Sequence, residues 1–247
     1  MRKQKMRERV NVIYGKQPIL LVAPHGQDDH NTALMTEMAA INANAYAVIN
    51  QGFERGENVD PNNDIADCNR VDHCQSEIVF DEFLKPLLKI KNQITKKWNN
   101  YGWSNDEERQ RLLVIYIHGA GDIVHKEAHE PVDVIVGYGL GTSKNSITCR
   151  AWRKNLFVDS WRNYSDDGEV YEGAGTGRYA GRSSNNMNQY FIKHELDRNV
   201  ESLQLEFPYS TRKTESQTTL TAMMLGMVLN DMMKIKEYDK QPAMKLI

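Results

Sequence analysis

Residues 112–119 read LLVIYIHG. Six apolar residues in a row leave no wet face and dry face to alternate, so the run predicts a strand buried on both sides, as in the interior of a parallel sheet. The apolar character stops at His118, which places an imidazole at the strand's end. Four more runs bounded by polar turns read as strands, several of them buried on both faces: PILLVA at 18–23, AYAVI at 45–49, VDVIV at 132–136 and LQLEF at 203–207. Helical patterns lie between them. Residues 31–44 carry Leu34, Met35, Met38 and Ile41 at helical spacing, and residues 72–98 form a second pattern in which Pro86 predicts a break or kink. A last helix over 215–238 is announced by Thr214 and Gln217, a capping-box pair, and its methionines (Met223, Met224, Met227, Met232, Met233) read as core. Strand and helix alternate along the chain. That pattern predicts a single α/β domain with a mainly parallel central sheet and helices on both faces, in which ligands collect at the carboxyl ends of the strands.

Composition agrees with one soluble domain spanning residues 1–247. The chain is 247 residues long, 40% hydrophobic and 26% charged, near the upper size that one core organises. Thirty-one basic against thirty-three acidic side chains give a formal charge of -2, which provides no field for nucleic acid. The basic tip MRKQKMRER at 1–9 reads as a solvated, flexible terminus of about ten residues, and Trp98, Tyr101 and Trp103 read as a helix end packed on the core rather than a stacking platform for bases. No apolar run is long enough for a membrane span, and none follows the basic start as a secretory signal requires, so a cytoplasmic protein is expected. Cys68, Cys74 and Cys149 are an odd number without CxxC spacing, which points to reduced thiols. The oligomeric state is left open, a homo-oligomer included.

The chemistry concentrates at the strand ends. His25 follows ILLVAP, His118 follows LLVIYI, and Asp28 lies three residues beyond His25 on the turn into the first helix. Two neutral imidazoles and a carboxylate are a zinc-binding set, although either histidine alone would read as a hydrogen-bonding strand end. Asp67-Cys68-Asn69-Arg70 offers an amide beside a guanidinium, suited to gripping a substrate carboxylate; alternatively Arg70 is a surface arginine paired with Asp67 or Asp72. Glu206 interrupts the apolar run LQLEF. It reads either as a carboxylate facing a site, where burial raises its pKa toward that of a general base, or as the wet face of an alternating strand with Gln204.

Two other segments carry motif-like features. Residues 160–188 hold five glycines among serines and asparagines, read as a covering loop or local disorder; within them GAGTGR lacks the flanks and spacing of a phosphate loop. His125 and His129 share a helical spacing, but neither flanking glutamate order of a zinc helix is present and Pro131 cuts the segment short.

In order, HGQD at 25–28, DCNR at 67–70, YIHG at 116–119 and LQLEF at 203–207 resemble the zinc carboxypeptidase superfamily and, within it, the shorter N-formylglutamate amidohydrolase family. The resemblance runs from about residue 18 to 209. It implies a zinc carboxypeptidase-like, phosphorylase/hydrolase-like fold and a Zn2+ cofactor. By motif it implies His25, Asp28 and His118 as zinc ligands, Asn69 and Arg70 as carboxylate anchors, and Glu206 as general base, with Arg70 counted beside Glu206 among the catalytic residues. The family's second ligand is a glutamate where this chain has Asp28, so Asp29 or His30 serves instead if the turn is built differently. Tyr179-Ala180-Gly181-Arg182 matches a glycine-rich segment of the family, with Arg178 or Arg182 as the group that meets the oxyanion and substrate. The expected activity is cleavage of an amide bond in a small substrate with a free carboxylate, such as N-formylglutamate, another N-acyl amino acid or a short peptide. The competing expectation is a carboxylate-binding or partner-binding protein on the same fold, without a functional metal.

Overall fold

A computed structural model describes residues 8–100, 112–128, 130–140, 146–165, 169–173, 179–197 and 199–233. Along these the chain forms β1 (Val10–Ile13), β2 (Ile19–Ala23), α1 (Thr32–Ala43), β3 (Tyr46–Asn50), α2 (Val71–Cys74), α3 (Glu77–Val79) and α4 (Lys85–Asn100). It continues through β4 (Leu112–Ala120), α5 (Ile123–Ala128), β5 (Val132–Gly137), α6 (Ala151–Tyr164), β6 (Glu169–Glu172), α7 (Tyr190–Lys193), β7 (Val200–Pro208) and α8 (Glu215–Met233). The strands build one seven-stranded sheet in the order β1-β3-β2-β4-β7-β5-β6. Pairs β2/β3, β2/β4, β4/β7 and β5/β6 are parallel, while β1/β3 and β5/β7 are antiparallel. The mainly parallel sheet read from the apolar runs is thus observed, with β4 and β7 at its centre.

Side chains of the central strand β4 divide between two cores, and a smaller third cluster forms around Val132 and Ile135 of β5. Leu113, Ile115 and Ile117 of β4 pack with Met35 of α1, Phe157 and Trp161 of α6 and Leu225 and Leu229 of α8. Val114 and Tyr116 pack on the other face with Val71, Phe83, Leu87, Ile90 and Phe191. Each such aliphatic side chain contributes roughly 1.5–3 kcal/mol when fully buried. Helices α1 and α8 approach closely because Gly226 has no side chain: a Cβ there would lie 2.7 Å from Asn42 Cβ. The cap of α8 is as read, with Thr214 N donating to Gln217 Oε1 at 3.0 Å and Gln217 N donating to Thr214 Oγ1 at 3.2 Å.

Several expectations are corrected. Order begins at the end of the basic tip: Arg9 pairs with Asp64 and Glu82, both at 2.6 Å, and Val10, the next residue, opens β1, while residues 1–7 lie outside the described residues. Pro86 does not end the helical segment; a π-helical turn at Phe80–Leu84 leads into α4. That turn contains Glu82, the residue whose carbonyl a proline ring at position 86 would strike in a regular helix. Of the α8 methionines, Met232 is core and Met224 and Met233 pack against it, but Met223 and Met227 face outward, 50% and 43% exposed. Residues 160–164 belong to α6 and 169–172 to β6, so the glycine-rich stretch is not one continuous loop. Arg178, His129, Tyr101 and Trp103, and the side chain of Trp98, lie outside the described residues. Among the described residues no helix is long and apolar enough to cross a membrane, and Cys68, Cys74 and Cys149 are free and buried.

Candidate metal centre

The site forms where β2, β4 and β7 end. β2 terminates at Ala23 and the chain turns sharply, with Asp28 N and Asp29 N both donating to His25 O, at 3.0 and 2.7 Å. Asn50 at the end of β3 holds this turn through a 2.8 Å bond from its Nδ2 to Pro24 O. A bond from residue i+4 back to i is one helical turn, which brings Asp29 to the same side as His25 and sends Asp28 outward. In parallel register, His118 of β4 lies opposite Glu206 of β7, so an imidazole and a carboxylate end neighbouring strands.

His25, Asp29 and His118 are buried and offer ligand atoms that all lie within 4.8 Å of one another. The two rings face each other, Nδ1 to Nδ1, at 3.2 Å, and Asp29 Oδ2 is 3.7 Å from His25 Nδ1. Two nitrogens in a tetrahedral zinc shell, at roughly 2.0–2.1 Å from the ion, stand about 3.3 Å apart, so the spacing of these rings fits that ion. Donor chemistry fits as well. His25 Nε2 sits 2.7 Å from Asp67 Oδ1, the carboxylate-imidazole pairing that orients a metal ligand; the matching Nε2 of His118 is buried and has no such partner among the described residues. Asp67 is itself fixed, its N donating to His73 Nδ1 at 3.0 Å and its Oδ1 accepting from Asn69 N at 2.9 Å.

Charges in the site are strongly coupled. Burial disfavours the imidazolium of His25, but Asp29 and Asp67 outweigh it and raise its pKa to about 9. Burial and the adjacent positive His25 push His118 down to about 3. Burial likewise works against ionised Asp29, yet His25, Gly119 N and His118 hold it at about 2. Glu206 is pushed up to about 7, first by desolvation and then by Asp29, despite the opposing pull of His25, Arg55 and a 2.9 Å hydrogen bond from Gln204 Nε2. The result is a cation flanked by carboxylates where a divalent ion would replace a proton, beside a carboxyl group poised near neutrality.

The expected ligand Asp28 is corrected on this geometry. It is exposed, and its Oδ2 accepts from Arg55 N at 2.9 Å; His30 is exposed too, with Nε2 3.0 Å from Lys213 O. Asp29 supplies the carboxylate instead. Arg70 stands at the rim, its guanidinium forked onto Asp72 at 2.6 and 3.1 Å, so it touches none of the clustered groups and its place among catalytic residues is not what the geometry offers. Asn69 lies behind Asp67 with its Oδ1 buried and unpartnered. Arg182 is half-buried, with no hydrogen-bonded or ionic partner among the described residues, one residue from Gly181, whose backbone packs against Gln204. The wet-face reading of Glu206 is excluded because Gln204 is 2% exposed and bonds to it. His125 is turned elsewhere, its Nδ1 accepting from Val132 N and its Nε2 facing Ser210 Oγ, both at 3.1 Å.

Four residues were not singled out from sequence. Asp67 was noted only as part of DCNR and as a partner for Arg70, not for His25. Arg55 donates from Nη2 to Asp29 Oδ1 at 2.8 Å, Gln204 anchors Glu206, and Arg212 lies buried under the site. Alternation puts Gln204 on the same strand face as Glu206, but no spacing points to Asp67, Arg55 or Arg212 in these roles.

No family model matches the chain, and no curated protein matches it. Solved structures do. A gene product of Agrobacterium tumefaciens is similar with a TM-score of 0.57 and 11% identity, over 92% of this chain and 96% of that one. N-formylglutamate amidohydrolase from Ralstonia eutropha JMP134 is similar with a TM-score of 0.55 and 12% identity, over 93% of this chain and 98% of that one. At this identity the likeness is one of fold: nearly the whole chain is arranged as in N-formylglutamate amidohydrolase, the fold its four motifs imply.

Proposed function

We propose that this protein is a zinc-dependent hydrolase that cleaves an amide bond in a small substrate bearing a free carboxylate, an N-formyl or N-acyl amino acid such as N-formylglutamate or a short peptide. The observation that carries this reading is the convergence of His25, Asp29 and His118 beside Glu206, whose pKa stands near neutrality. The fold shared with a protein named N-formylglutamate amidohydrolase supports the reaction class.

His25, Asp29 and His118 would hold the zinc, which when bound supplies a Lewis acid that acidifies water and polarises a carbonyl. Glu206 would take the proton of the attacking water and return it to the leaving nitrogen. A pKa of about 7 suits both halves of that shuttle, since the group is neither fully ionised nor fully protonated at neutral pH. The guanidinium of half-buried Arg182, without a partner among the described residues, would meet the substrate, with Asn69 beside Asp67 as a second anchor. Arg70 would bind the substrate carboxylate in place of Asp72, as an anchor rather than as a catalytic group.

Glu206→Gln tests the reading. Zinc content should stay near one per chain while turnover of N-acyl amino acids falls by about 10²–10⁴-fold; full turnover by this variant would remove Glu206 from the mechanism. The competing reading, a carboxylate-binding protein without metal, rests on an aspartate standing where a glutamate ligand is expected; the buried place of Asp29 beside both histidines supports the metal reading instead. Protein purified without added zinc and carrying well below one equivalent would restore it.

A further inference from the structure

Arg212 is 4% exposed, and its guanidinium is directed at three backbone carbonyls. Nη1 donates to His30 O at 2.6 Å, Nη2 to Ala120 O at 3.0 Å and Nε to Phe207 O at 3.0 Å. Each acceptor is one or two residues from a group of the metal centre: His30 follows Asp29, Ala120 lies two beyond His118, and Phe207 follows Glu206. Space for the guanidinium comes from Gly119, where a Cβ would stand 2.3 Å from Nη2. The backbone of Arg212 is held in turn, its carbonyl accepting from Asn31 Nδ2 at 2.9 Å and Thr218 Oγ1 at 3.1 Å.

Burying this cation is costly even with Asp29, Glu206 and Asp122 acting in its favour, and an apolar side chain would avoid that cost but leave the three carbonyls without a donor. What a guanidinium alone provides is a rigid planar fork that fixes several acceptors relative to one another. We propose that Arg212 is a positioning residue, which locks the turn of Asp29, the end of β4 and the end of β7 into the arrangement where His25, Asp29, His118 and Glu206 converge. Its consequence for metal binding rests on the reading of that cluster as a metal centre.

Arg212→Met keeps length without donors, Arg212→Lys keeps charge without the fork, and Gly119→Ala intrudes on the fork with Arg212 intact. Two readouts apply to each, Co(II) affinity by absorbance titration and amide hydrogen exchange in the metal-free protein. Arg212→Met should weaken Co(II) binding by about 10–100-fold, with Arg212→Lys recovering only part of the loss. Exchange at Asp29 N, bonded to His25 O, and Gly119 N, bonded to Asp29 Oδ2, should quicken about tenfold more than in the interior strands β2 and β3. Unchanged affinity, or exchange that quickens equally throughout, would overturn the proposal. Should Arg212→Met fail to fold, the other two variants carry the same comparison. A wild type that binds no Co(II) would sink the metal-centre reading, and the exchange pattern would still decide the role of Arg212.

Discussion

Across the ends of β2 and β4, His25 Nδ1 faces His118 Nδ1 at 3.2 Å. Two imidazole lone pairs cannot share that distance unless a proton or a cation lies between them. The pKa values, about 9 for His25 and about 3 for His118, put a proton there in the metal-free protein.

Metal must therefore displace that proton. Zinc affinity is expected to rise with pH by about tenfold per unit from pH 6 to 9, where His25 holds its proton, and to level off above. Calorimetric titration at several pH values, in buffers of different ionisation enthalpy, measures the released proton; a flat profile would mean that His25 is not a ligand.

The turn after β2 discriminates two adjacent carboxylates. Asp28→Ala should leave zinc stoichiometry unchanged, because its carboxylate reaches only Arg55 N, whereas Asp29→Ala and His118→Ala should each lose the metal. Metal analysis of the three variants side by side decides between them.

Asp67 orients His25 from behind without entering the cluster. Asp67→Asn is expected to weaken zinc by about 10–100-fold while the protein stays folded. An affinity equal to wild type would show that the 2.7 Å contact has no part in metal binding.

Stability of the metal-free protein should fall as pH rises from 6.5 to 9. The folded chain keeps a proton on His25 up to about 9 against 6.5 when unfolded, so the native state binds more protons over this window, while Glu206, held protonated up to about 7 against 4.5, adds a fall of the same sign between pH 4.5 and 7. A drop in Tm on the order of 5 °C is expected, and the slope should flatten in His25→Gln. Below pH 6.5 His118 acts in the opposite sense: its folded pKa lies near 3, so acid favours the unfolded chain.

Much of this architecture was legible in the amino-acid order. Apolar runs bounded by polar turns marked five strands of the sheet, Thr214 and Gln217 marked the start of α8, and two histidines at strand ends marked the site, because a residue's burial within its own element leaves a local trace. The edge strands β1 and β6 left little: their residues are mostly half-buried, and the four-residue stretches VNVI and EVYE carry no continuous apolar run. Tertiary structure alone decided which carboxylate joins the histidines, since the choice follows the rotation of one turn. It also decided that Asp67 serves His25 from 42 positions away and that Arg212 reaches back 182 positions to His30. Partners at such separations are set by how strands and loops stack in three dimensions, which the spacing of residues along the chain does not encode.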